Sequence, residues 1–266
     1  MSRLQDAING WWPPKWMYST YESLELGRLD RSLLPKHVAV LADGNRRWAR
    51  LNAPGQPLVA GYRAGAAKLR EFVEWCDEAD LEVVTLWVLS TDNLQRSNDD
   101  ELLPLLDVIQ QLVADLADTR RWRVQAVGAL DLLPPEIEES LRASAQRTED
   151  VDGMHVNVAV SYGGRHELRD AVRSLLRDKA EQGETLESVA ATLEIDEIAD
   201  HLYTKGQPDP DLIIRTSGEQ RLSGFLLWQS AHSEFYFCEA LWPDFRRTDF
   251  IRALRSFTQR ERRFGR

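Results

Sequence analysis

Six short apolar, β-rich runs punctuate this 266-residue chain, and the stretches between them carry helical periodicity. That alternation constrains the fold more than any other feature. The runs are "HVAVLAD" from His37, "LEVVTLWVLS" from Leu81, "RWRVQAVGAL" from Arg121, "MHVNVAVSY" from Met154, "DLIIRT" from Asp211 and "SEFYFCEALW" from Ser233. The helical patterns are "GYRAGAAKLREFVEWCDEA", "DELLPLLDVIQQLVADLA", "PPEIEESLRASAQRT" and "RHELRDAVRSLLRDKAEQG". A chain that alternates strand and helix lays its strands parallel and covers both faces of the sheet with helices. The expected fold is α/β, a single domain with a mostly parallel six-stranded open sheet flanked by helices. Helix punctuation agrees: "SNDDE" before Leu102 supplies caps and first-turn acids, and "LLPPEIEE" places prolines at a helix start. "TKGQPDPD", Thr204 to Asp211, reads as a loop within the domain.

A chain of this length with 43% hydrophobic residues can bury about 70–75% of its unfolded surface, so it needs no staples to fold. Cys76 and Cys238 stand in no CxxC spacing and read as reduced, buried thiols, which with the lack of an export signal or spanning segment predicts a cytoplasmic protein. Residues 1–34 form an extension rich in aromatics: Trp11, Trp12, Trp16, Tyr18 and Tyr21. Such residues suit a peripheral contact with the inner face of a membrane, a partner groove, or packing onto the domain's own surface. A net charge of −10 argues against a nucleic-acid partner. Of the 33 basic residues 28 are arginine, and residues 212–266 hold ten arginines against six acids, a local excess suited to phosphate or carboxylate.

In an open parallel sheet, ligands lie beyond the carboxyl ends of the strands. Those ends are Asp43 and Gly44, Ser90 to Arg96, Tyr162 to Arg165, and Arg215 to Glu219. Asp43-Gly44-Asn45-Arg46-Arg47 would set free backbone N–H groups at a helix start beside two guanidiniums, a ready phosphate site. A carboxylate beside phosphate needs a bridging hard cation, which makes Asp43 a candidate Mg²⁺ ligand; a plain helix cap paired with Arg46 or Arg47 is the other reading. No Walker loop, dinucleotide fingerprint, HExxH or zinc spacing occurs. An aspartyl-nucleophile phosphatase would also carry its Asp here, although Asn45 stands where a second acid belongs. Arg215, Arg221 and Ser223 can hold a second diphosphate, and Ser90, Asn93 and Arg96 flank it. Two phosphate sites beside apolar strands suggest a substrate with a charged head and a greasy tail.

"HVAVLADGNRRWAR", "LSTDNLQR", "YGGR", "DLIIRTSGEQRLSGFLLWQSAHSEFYF" and "RERRFG" resemble the sequential motifs of the cis-prenyltransferases, the undecaprenyl diphosphate synthase family, from about residue 35 onward. The resemblance implies a catalytic domain over 35–266, a homodimer, Mg²⁺, and condensation of isopentenyl diphosphate with an allylic diphosphate to form Z double bonds. It is strongest to actinobacterial short-chain Z,E-farnesyl diphosphate synthases, with a longer-chain decaprenyl or undecaprenyl synthase as the alternative. A non-catalytic partner subunit would show a degraded DGNxR motif, which this chain retains. By the same resemblance Asp43 binds Mg²⁺, and Gly44, Asn45, Arg46 and Arg47 cradle the allylic diphosphate with Trp48 at the entrance. Ser90, Thr91 and Asp92 line the pocket, and Asn93 accepts or relays a proton. Arg96, Arg215, Arg221, Leu222 and Ser223 match the isopentenyl diphosphate site. Glu234 matches a second metal ligand, and Arg263 and Gly265 an element that reaches a partner's site. Tyr62, Leu58, Leu94 and Gly224 depart from the family's usual His, Arg, Trp and Asn, and Arg46 from its Gly; Arg46 is a candidate stand-in for the arginine missing at Leu58. Continuous period-two geometry over Val84, Leu86, Val88 and Ser90 would put Val88 roughly 6.5–7 Å below Ser90, on the path of a growing tail, where long-chain relatives carry Ala. A short product follows.

Overall fold

A computed structural model describes residues 26–96 and 99–259, without the side chains of residues 95–99. The aromatic stretch from Trp11 to Tyr21 lies outside the described residues, as do Arg263 and Gly265. Residues Pro35–Phe245 form one compact unit. All six apolar runs become strands: β1 (His37–Leu41), β2 (Val83–Trp87), β3 (Arg123–Val127), β4 (His155–Ala159), β5 (Leu212–Arg215) and β6 (Glu234–Phe237). They form one sheet, ordered β3-β4-β2-β1-β5-β6, in which every pairing is parallel. Strand order turns at β1, with β2 on one side and β5 on the other, so connections diverge there and open a crevice at the carboxyl ends. Leu41, Trp87 and Arg215 stand side by side at that edge.

The helices of this unit are α1 (Asn45–Asn52), α2 (Val59–Glu78), α3 (Thr91–Arg96), α4 (Asp99–Asp118), α5 (Pro135–Gln146), α6 (Gly164–Glu181), α7 (Leu186–Thr192) and α8 (Ile195–Ala199). α2 buries Leu69, Phe72, Val73 and Cys76, the helical stripe its periodicity announces. α5 starts after Pro134 with Pro135 in its first turn, where a missing N–H costs nothing. The short α7 and α8 were not legible as periodic segments; Thr185 caps the first, and Glu194 and Glu197 form a capping box on the second. In the other unit, which takes in residues up to Leu34 and from Arg246 onward, α9 (Arg247–Thr258) buries Phe250, Ile251, Leu254 and Phe257 along one stripe.

One face of the sheet carries Ala39, Leu41, Ala159, Val127 and Ile213 packed on Tyr162, Phe225 and Leu226. Further toward the strand starts, the same face holds a polar row. Thr85, Asn157 and Gln125 are register partners on β2, β4 and β3. Asn157 donates to Thr85 Oγ1 at 3.0 Å, and Gln125 donates to Asn157 Oδ1 at 2.7 Å. His37 joins through Nε2, 2.8 Å from Thr85 Oγ1, while its Nδ1 meets the Pro208 carbonyl at 2.7 Å. A carbonyl only accepts, so Nδ1 carries the proton and Nε2 accepts from the threonine. Burial pushes the His37 pKa down to about 4.

The period-two expectation for Leu81–Ser90 needs correction. β2 ends at Trp87, and the N–H groups of Val88 and Leu89 both point at the Ala159 carbonyl, at 3.1 and 3.3 Å. Two residues against one interrupt the alternation. Val88 and Ser90 therefore do not extend the strand face of Val84 and Leu86, and pairing resumes only at the Ser90–Tyr162 bridge.

Candidate active site

A cavity of about 820 Å³ opens at the carboxyl ends of β1, β2, β4 and β5, and each of the four strand-end clusters singled out in the sequence contributes to its wall. From β1, the chain turns at Asp43 into α1. Gly44 sits at φ 108°, and a Cβ there would lie 2.9 Å from Leu241 Cδ2, so both backbone and space demand glycine. The Asp43 backbone is clamped by Thr216: its N–H donates to Thr216 Oγ1 at 3.0 Å, and that hydroxyl lies 2.8 Å from the Asp43 carbonyl. Thr216 follows β5, is fully buried, and escaped sequence reasoning because its partner is brought to it only by the β1–β5 pairing.

The Asp43 side chain accepts from the Gly44 N–H at 2.7 Å and from Arg215 Nη2 at 3.2 Å, while 47% of it faces solvent. Arg215 is its opposite, with 5% exposure. Its Nη1 donates to Ser223 Oγ at 3.2 Å, and its Nε is buried without a partner among the described residues. Arg47 donates to the Ser217 carbonyl at 3.3 Å. Glu219 stands between the two exposed guanidiniums, 4.0 Å from Arg47 and 3.3 Å from Arg221. The backbone that presents these groups is unusual: Ser217, Gly218, Ser223, Gly224 and Leu226 all have positive φ.

Ser90 Oγ accepts from the Asn93 N–H at 3.0 Å, starting α3, with Thr91 buried and Asp92 and Asn93 exposed. Arg96 closes that helix. Across the cavity, Tyr162, Gly163, Gly164, Arg165 and His166 run into α6. Tyr162 is buried and donates to Glu167, which also accepts from the Tyr203 N–H and from Gln229, each at 3.0 Å. Burial raises the Glu167 pKa against those donors, and burial, then Glu167, raises that of Tyr162. Trp87 stacks on Phe225 at 5.0 Å and meets Tyr162 edge-on at 6.3 Å, so the floor is aromatic. Val88 is half-buried and lines the cavity beside Trp87.

Other expected residues sit apart from this wall or have their polar heads engaged beside it. Leu222 packs onto the core cluster. Trp48 donates from Nε1 to Asp244 at 2.8 Å. Arg46 lines the cavity but has its head 3.7 Å from Glu101, the carboxylate that also accepts from the Tyr62 hydroxyl. Glu234 opens β6 in register with Leu212, at the end of the sheet remote from Asp43. Guanidiniums, a half-exposed carboxylate and an aromatic floor in one cavity suit a ligand with anionic heads and an apolar tail.

The family model for undecaprenyl diphosphate synthases matches residues 41–265. The chain belongs to this family of prenyltransferases. It is 57% identical over 253 residues to a protein of Thermobifida fusca named (2Z,6E)-farnesyl diphosphate synthase, covering 94% of this chain and 97% of that one. It is 50% identical over 261 residues to the short-chain Z-isoprenyl diphosphate synthase of Mycobacterium bovis, covering 96% and 98%. Among solved structures, lavandulyl diphosphate synthase from Lavandula x intermedia, in complex with dimethylallyl diphosphate, superposes with a TM-score of 0.80 at 30% identity over 88% of this chain and all of that one. As a prenyl diphosphate synthase the chain is an alkyl-transferring enzyme. Among the described residues no helix is long and apolar enough to cross a membrane.

Proposed function

We propose that this enzyme condenses isopentenyl diphosphate with geranyl diphosphate to give (2Z,6E)-farnesyl diphosphate. The observation that carries the reading is the convergence of Arg47, Arg215 and Arg221 with Asp43 on one cavity floored by Trp87 and Tyr162; the names of its relatives from Thermobifida fusca and Mycobacterium bovis support the short product. In this reading Gly44, Asn45, Arg46 and Arg47 hold the allylic diphosphate, while Arg96, Arg215, Arg221 and Ser223 hold isopentenyl diphosphate. Arg215, buried and already bonded to Ser223 and Asp43, needs no reorganisation as charge builds on the departing diphosphate, which is where preorganised donors act most strongly.

Mg²⁺ fits the donors present. Among the described residues no cluster of three His, Cys, Asp or Glu could hold a metal by itself, but Mg²⁺ commonly takes one or two carboxylates and completes its shell with phosphate oxygens and water. Asp43, half-exposed into the cavity, is the carboxylate that would hold it, and when bound the ion would neutralise charge on the leaving diphosphate. Glu234, remote from Asp43 within one chain, would join only from a second copy, as would Arg263 and Gly265, so the reading includes a homodimer. We place it in the cytoplasm, with the aromatic extension as a peripheral membrane contact.

Incubating the purified protein with Mg²⁺, labelled isopentenyl diphosphate and geranyl diphosphate tests this reading. The expected product is C15. Mainly C50–C55 products would overturn the short-chain assignment, and no condensation would overturn the activity.

A further inference from the structure

Condensation ends with loss of a proton from isopentenyl C2, and the group matched to that step, Asn93, is an amide. Amides donate and accept hydrogen bonds but are not among the side chains that take up protons as general bases. Asn93 can orient the reacting carbon; the proton needs another destination. Few groups on the described wall qualify. Asp43 is engaged by Arg215 and the Gly44 N–H at 3.2 and 2.7 Å. Glu219 lies between Arg47 and Arg221. The Tyr162 hydroxyl is committed to Glu167. Asp92 is exposed to solvent, whereas His166 is half-buried in the cavity.

The geometry points to His166 as the base that removes this proton, an inference that rests on the prenyl-transfer reading above. His166 stands in the first turn of α6, one residue beyond the "YGGR" strand end. Its Nδ1 lies 3.4 Å from Oγ1 of the buried Thr91, the first residue of α3, the helix that carries Asn93. With Thr91 Oγ1 accepting from Nδ1–H, the lone pair is on Nε2. Gly163 protects this contact: a Cβ there would lie 2.6 Å from Thr91 Oγ1 and 3.2 Å from His166 Nδ1.

In the step itself, the allylic C1–O bond breaks and its electron pair leaves with diphosphate. The π pair of the isopentenyl C3=C4 bond forms the new C4–C1 bond, leaving a cation at C3. The C2–H proton passes to His166 Nε2, and its bonding pair becomes the C2=C3 double bond. The imidazolium then returns its proton to water.

The test uses the full-length enzyme with Mg²⁺, isopentenyl diphosphate and geranyl diphosphate. His166→Ala should lose roughly 10²-fold in kcat, as general bases typically contribute 10²–10⁴-fold, with KM for both substrates within about threefold. Added imidazole should restore at least about tenfold of that loss. With isopentenyl diphosphate deuterated at C2, the isotope effect should be larger in His166→Gln than in wild type, because proton removal becomes limiting; a merely structural histidine would move neither the rescue nor the isotope effect. His166→Gln keeps a planar polar side chain and reports if the alanine variant folds poorly. Turnover of His166→Gln within about threefold of wild type would overturn the assignment, as would transfer of the isotope signature to Asp92→Asn. Failure of the wild type to condense the substrates would sink the underlying reading instead, so the two outcomes are distinct.

Discussion

The two ends of the sheet treat buried polar groups in opposite ways. At the strand starts, His37, Thr85 and Asn157 are fully buried, and each is satisfied by the others or by Pro208 and Gln207. Trp122, just before β3, is the exception, its Nε1 without a partner among the described residues and lying beneath the Arg121 guanidinium. At the strand ends, Trp87 Nε1, Arg215 Nε and Ser217 Oγ are buried without partners among the described residues, and Asp43 is half-exposed beside them. A buried donor left unpaired costs about 1–3 kcal/mol, and such costs concentrate where a ligand is to bind. The closed end holds the fold; the open end is arranged for a substrate.

The comparison breaks if a single substitution harms both ends alike. Asp43→Ala should lower kcat at least about 10²-fold, the loss typical of one preorganised charge-stabilising group, with an unchanged melting temperature; near-normal turnover would remove Asp43 from the site. Thr85→Val should do the reverse. It strands His37 Nε2 and removes one of the two acceptors of Asn157 Nδ2, which keeps Gln207 Oε1 at 2.6 Å, so it should cost about 1–3 kcal/mol for the unpaired imidazole nitrogen and leave kcat as it was; denaturant melts beside steady-state assays would read both.

Acid sharpens the same contrast. His37 titrates near 6.5 when unfolded but only at about 4 when folded, so between those values the unfolded chain binds the extra proton. The stability due to the neutral imidazole is complete above pH 6.5 and is lost as pH falls toward 4, by about 3 kcal/mol in all. Unfolding free energies measured across that window should slope less in His37→Gln than in wild type; equal slopes would mean that His37 is not the group. At the open end, Val88→Ala should lengthen the product distribution beyond C15 by widening the wall beside Trp87, as read by chromatography of the dephosphorylated products. The smallest effect belongs to Glu219→Gln. Its partners Arg47 and Arg221 are 54% and 72% exposed, and such pairs contribute about 0–1 kcal/mol, so turnover should stay within about fivefold of wild type.

Much of this was legible beforehand. Six runs became six parallel strands because β-rich apolar segments alternating with long amphipathic helices admit few other arrangements, and the strand-end rule gathers Asp43, Ser90, Tyr162 and Arg215, which do line one cavity. Legibility failed wherever a contact depends on residues distant in sequence. Nothing local marks Thr216 as the clamp on Asp43, or Phe225 as the stack beneath Trp87. The break after Trp87 was hidden for another reason: alternation predicts side-chain faces only while each residue has its own ladder partner, and Val88 and Leu89 share one. The short α7 and α8 span too few turns to show a period; their caps were the readable signal.

The row of His37, Thr85, Asn157 and Gln125 bears on how the chain reaches this structure. Its members meet only when β1, β2, β4 and β3 are aligned as they are. Slide any one strand by a single residue and its polar group turns to the opposite face, stranding its neighbours among apolar side chains. Apolar strands alone tolerate such slippage, and parallel sheets, whose partners are far apart along the chain, assemble slowly enough to sample it. At about 1–3 kcal/mol for every stranded group, a misaligned sheet of this protein is less stable than the aligned one. The row serves as a proofreading device for strand alignment, and the strand ends that carry Asp43 and Arg215 inherit their relative positions from it.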